Sequence, residues 1–146
     1  MSVAISFSGY NQRRRLTRAV IDWFCPRFIG KHDLAIDVVT RGMLREGNFG
    51  TCGIIDSCSR PREFEIELHA NLNPYDYLTT LIHELIHVKQ RVKREHVTKY
   101  DKNYWFSRIV PEDTSYDDEP WEVEAHRDET WITKLAIHEM GLDIPA

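Results

Sequence analysis

The most regular stretch of the chain is EFEIEL at positions 63–68, where acidic and apolar residues alternate strictly. A period of two puts Phe64, Ile66 and Leu68 on one face of a strand and Glu63, Glu65 and Glu67 on the other. Two weaker segments of strand character precede it, at 34–39 and 51–56. The first is β-branched and the second is bounded by glycine and serine turns. The short connections around Gly47, Gly50 and Pro61 predict that the three strands form an antiparallel meander.

Elsewhere the apolar residues fall three or four apart. Leu16, Val20, Trp23 and Phe24 predict a helix over about 11–24, which Pro26 stops. Its basic opening run, Arg13 to Arg15, reads as a solvated helix face. A second helix begins after Asn73. The asparagine suits the cap, Pro74 suits the first turn, and Asp76 complements the positive end of the dipole. Its apolar face uses Leu78, Leu81, Ile82, Leu85 and Val92. Residues 97–118 are polar, aromatic and without a period, which predicts a long loop or lid. A last helix starts at Asp118 or Glu119, just before Pro120, and ends at Gly141. Its core side is Trp121, Ala125, Ile132, Leu135, Ala136 and Met140. The predicted fold class is α+β, with all 146 residues in a single domain.

Composition narrows the setting. With 42% hydrophobic and 29% charged residues the chain reads as globular rather than disordered. No apolar run approaches the ~20 residues that a membrane span needs, so no membrane partner is expected. A net charge of −4 provides no general attraction to nucleic acid, which makes nucleic acid an unlikely partner. The N-terminal stretch places its apolar residues before its positive charge, unlike a secretory signal. Cys25, Cys52 and Cys58 are an odd set without a CxxC pair. They predict free thiols in a reducing compartment and a cytoplasmic location.

The second helix carries His83-Glu84-Leu-Ile-His87. Residues four apart on a helix share a face, so two imidazoles can hold one zinc ion and the carboxylate between them can act as general base. A catalytic zinc takes three protein ligands and keeps a position for water. The third ligand is expected on the last helix, within Trp121-Glu-Val-Glu-Ala-His-Arg-Asp128. Glu124 is preferred there, ahead of His126 and Glu122. Asp128, one turn beyond Glu124, is placed to orient a ligand imidazole. Tyr100, Tyr104 and Tyr116 are each candidates to polarise a carbonyl from the loop, although a packing role is the default for any one of them.

The order of helix, three strands and a helix bearing HELIH resembles the minimal zincin architecture of SprT-like metallopeptidases. The similarity covers roughly residues 11–92, and HELIH is its only specific motif. Glu124-x-x-x-Asp128 resembles the ligand helix of gluzincins. Together these resemblances imply zinc on His83, His87 and Glu124, with Glu84 as the base. SprT-like proteins typically supply a histidine as third ligand, which keeps His126 in view. Their cysteine zinc ribbon and DNA-binding segments have no counterpart here. The expected activity is zinc-dependent hydrolysis of a polypeptide substrate, paired in extended form with a sheet edge for which the third strand is the candidate. Two other readings are open: a non-catalytic zinc-stabilised binding or inhibitory domain, and a metal-free interaction domain.

Overall fold

The computed structural model describes residues 2–42, 49–56 and 59–145. The turn residue Gly47 and the thiol of Cys58 lie outside the described residues. The described residues form a mixed α and β structure with three α-helices and two sheets. Strand β1 (Val3–Ser8) leads through helix α1 (Arg14–Phe24) and a π-helical turn (Cys25–Ile29) to β2 (Leu34–Arg41). Then follow β3 (Gly50–Ile54), β4 (Glu63–His69) and helix α2 (Pro74–Val92). Three short strands, β5 (His96–Lys99), β6 (Lys102–Trp105) and β7 (Arg108–Val110), precede helix α3 (Pro120–Met140).

The strand segments are where the alternation puts them, but their pairing differs from a meander. The first sheet has the order β1-β2-β4-β3. β1 and β2 are parallel, β2 and β4 are parallel, and only β3 runs antiparallel, on β4. The first parallel pair is joined by a crossover through α1, as parallel strands require. β4 therefore lies inside the sheet. The available edge beside α2 is β3, not the third strand anticipated for substrate.

One face of this sheet is apolar. Phe7, Val38, Ile66 and Cys52 share one cross-strand row, and Ile5, Ile36, Phe64 and Ile54 another. Phe64, Ile66 and Leu68 are fully buried, while Glu65 and Glu67 are half-buried on the opposite face. On that opposite face the Glu65 carboxyl has a raised pKa, through local desolvation and its acidic neighbours Glu67 and Asp37. The inner face packs on α1 and α2.

Helix α2 is covered on most sides, so His83, Glu84 and Gln90 are buried along with its leucines. Asn73 caps it, accepting a hydrogen bond from the Asp76 amide at 2.9 Å. Its outer side meets α3, which starts at Pro120 and stops where Gly141 takes a left-handed conformation (φ 63°).

The segment expected to be an irregular loop contains the antiparallel sheet β5-β6-β7. Its two tight turns are Tyr100-Asp101 and Phe106-Ser107, with all four residues at positive φ. Such turns normally advertise themselves as Asn-Gly or Asp-Gly. Among the described residues, no helix is long and apolar enough to cross a membrane.

Candidate metal centre

The two histidines of α2 point into a cleft of about 720 Å³ between β3, α2, β5 and the first half of α3. His83 Nε2 and His87 Nε2 are 3.2 Å apart. Glu122 completes a triangle, with Oε1 at 3.1 Å from His83 Nε2 and Oε2 at 3.0 Å from His87 Nε2. Donor atoms bound tetrahedrally to one zinc at ~2.0–2.1 Å stand about 3.3 Å from one another. The nitrogen and oxygen donors thus have both the type and the spacing that zinc accepts.

The outer nitrogen of each ring is also held. Glu129 Oε2 accepts from His83 Nδ1 at 2.6 Å. Gln90 Oε1 accepts from His87 Nδ1 at 2.8 Å. Those two bonds keep an N–H on Nδ1 and point the Nε2 of each imidazole toward the centre, where a metal ion can take the place of its proton. Gln90 is fully buried, and its amide nitrogen donates to Trp121 O at 2.9 Å and to Glu124 Oε1 at 3.2 Å.

The expected ligand Glu124 is turned away from the imidazoles. Lys89 Nζ donates to its Oε1 at 2.9 Å, and Gln90 takes the same oxygen. Asp128 likewise accepts from Arg127 and from Trp131 Nε1 at 3.0 Å rather than from a ligand ring. The structure brings Glu122 rather than Glu124 to the two imidazoles, and Glu129 rather than Asp128 to the outer nitrogen of His83. Glu122 and Glu129 are seven residues apart and so share a helix face. Glu122 and His126 form the rival face in the sequence. Sequence reasoning misses Glu129, for which the heptad spacing from Glu122 is the available signal.

Glu84 is buried beside the two rings, and burial raises its carboxyl pKa. Burial opposes charge on His83, but Glu122 and Glu129 outweigh it and raise that imidazole to about 10. His87 is raised for the same reason, chiefly by Glu122 against the cost of burial. Glu122 would be raised by burial, yet hydrogen bonds from the two histidines hold it well below the ordinary carboxylate range. Three carboxylates around two imidazoles make a site that attracts positive charge, as protons or as a cation.

Two groups flank the open side. Tyr116 Oη donates to Glu122 Oε1 at 2.8 Å and lies 3.5 Å from His126 Nε2. His126 forms a second potential donor group with His83 and Glu122. Of the three tyrosines considered, only Tyr116 lines this cleft. Tyr100 sits at an exposed turn, and Tyr104 pairs within the second sheet. Comparison with protein-family models, curated proteins and solved structures finds no match to this chain.

Proposed function

We propose that the protein is a zinc-dependent metallopeptidase. The observation that carries this reading is the triangle of His83, His87 and Glu122 donors beside buried Glu84, at the floor of an open cleft. His83, His87 and Glu122 would hold the ion, which when bound lowers the pKa of its water and polarises the carbonyl. Glu84 takes a proton at its carboxylate and returns it to the leaving amine. A carboxyl whose pKa is already raised by burial suits that exchange. Glu129 and Gln90 keep the imidazoles in the metal-accepting tautomer. β3, the antiparallel edge strand lining the cleft, offers main-chain hydrogen bonds to an extended polypeptide. The likeness to SprT-like metallopeptidases rests on HELIH and the order of elements. A carboxylate in the third position departs from that pattern.

Glu84→Gln tests the reading. The variant is expected to keep about one zinc per chain and to lose ~10²–10⁴ in the rate of cleaving an unfolded polypeptide. Full zinc content with unchanged hydrolysis would remove Glu84 from the chemistry.

One observation supports a second reading, a zinc-stabilised domain without catalysis. His126 lies close enough to His83 and Glu122 to supply a fourth donor, and four protein ligands make a closed structural site. Zinc affinity of His126→Ala separates the two. An open catalytic site keeps its ion, whereas a closed structural one loses affinity and stability together.

A further inference from the structure

The α2 wall of the cleft carries Asp76, Thr80, Glu84, His87 and Arg91. Their three- and four-residue spacing sets them in one line along the helix. Asp76 and Arg91 stand at opposite ends of that line, about 22 Å apart at 1.5 Å per residue. Asn73 Nδ2 donates to the Asp76 carboxylate at 2.9 Å, and Arg91 Nη1 donates to Thr98 Oγ1 at 2.9 Å, so both charged heads are held in place.

β3 runs beside this line in the same direction. Gly50 lies against Thr80 and Glu84, and the Cys52 thiol, further along, feels the charges of Glu84 and Arg91. A peptide pairing antiparallel with β3 has its N-terminal half toward Arg91 and its C-terminal half toward Asp76. At ~3.3 Å per extended residue, Arg91 lies about three residues from Glu84 and Asp76 nearly four.

We propose that these two charges orient and select the polypeptide: Asp or Glu about three residues before the scissile bond, and Lys or Arg three to four residues after it. The inference rests on the peptidase reading for the meaning of the scissile bond. The orientation of a bound chain can be measured without cleavage.

The probe is a fluorescein-labelled decapeptide with Asp in its N-terminal half and Lys in its C-terminal half. Its control has the same composition with the two exchanged. Zinc-loaded Glu84→Gln protein, read by fluorescence anisotropy, should bind the first about fivefold or more tightly than the second. Arg91→Gln and Asp76→Asn should each reduce that ratio, and Arg91→Lys should keep most of it. The same contrast on metal-free wild-type protein covers any variant that fails to fold. Equal binding of the two peptides, tighter binding of the exchanged one, or a ratio that survives both charge removals would overturn the proposal. A favoured peptide that binds yet is left uncut by zinc-loaded wild-type protein would refute the peptidase reading and leave the orientation standing.

Discussion

Residues two apart on a helix point about 200° from one another around its axis. That angle separates Glu122, which meets two imidazoles, from Glu124, which meets Lys89 and Gln90. Glu122→Ala is therefore expected to weaken zinc binding by more than ~100-fold. Gln90→Leu, which removes the acceptor for His87 Nδ1 together with the donor to Trp121 O and Glu124, should cost ~10–100-fold, the range for groups that orient a ligand. Glu124→Ala acts one step further out, through the Gln90 amide, and should cost less than either. Competition with a chelator of known affinity gives all three values. Retained metal in Glu122→Ala with loss in Glu124→Ala would restore the carboxylate expected from the sequence.

At the scale of elements, the close approach of β3 to α2 constrains Glu84, the proposed base. A Cβ added at Gly50 would lie 2.7 Å from Thr80 Cγ2 and 3.3 Å from Glu84 Cγ. Gly50→Ala must push aside the Thr80 methyl or shift the strand, with the Glu67 carbonyl oxygen at 3.1 Å and then Glu84 Cγ next in the way. Loss of ~10–100-fold in kcat/KM with unchanged zinc content is expected, the scale of a small misplacement of catalytic groups. Adding Thr80→Ser, which deletes that methyl, should recover much of the loss. Strictly additive effects in the double mutant would show that the contact is not the cause. Gly50 is visible in the sequence only as a turn residue, because a close approach depends on which strand neighbours the helix. The same limit explains the pairing. Alternation at 63–68 reveals which side chains are buried, and Phe64, Ile66 and Leu68 are. It says nothing about whether the neighbouring strand is parallel. The sequence reading misses β1: Val3, Ile5 and Phe7 do alternate with Ala4, Ser6 and Ser8, but its small outward residues make the signal faint. HELIH and the Asn73 cap survive translation into structure because both are local. The third donor does not, because the rotation of α3 against α2 is set by packing between elements far apart in sequence.

At the scale of the whole molecule, the second sheet is tied to the site by a buried histidine that can make stability depend on pH. His96, the first residue of β5, stacks on Trp121 of α3 with ring centroids 3.9 Å apart. Its Nε2 donates to Asn103 Oδ1 on β6 at 2.9 Å. Burial, reinforced by the Arg91 charge, lowers its pKa from 6.5 to about 4. The unfolded chain therefore takes up a proton as pH falls through 6.5, and the folded chain does so only near 4. The stabilisation by neutral His96 is complete above pH 6.5 and is lost progressively as pH falls toward 4. Holding the ring neutral across that interval is worth at most about 3 kcal/mol, which is the full loss. His96→Phe keeps an aromatic ring against Trp121 but cannot titrate. Its stability should differ from wild type by a constant amount above pH 6.5, reflecting the lost bond to Asn103. Below that pH the wild type should lose its relative advantage as its own His96 becomes harder to keep neutral. Urea midpoints measured from pH 7.5 to 4.5 with chelator present follow that difference. The titrations of His83 and His87 occur in both proteins and cancel in it to first order. Parallel curves for the two proteins across the window would show that His96 protonates as readily in the folded state as in the unfolded one. The stack on Trp121 would then not be the clasp that couples the second sheet to α3.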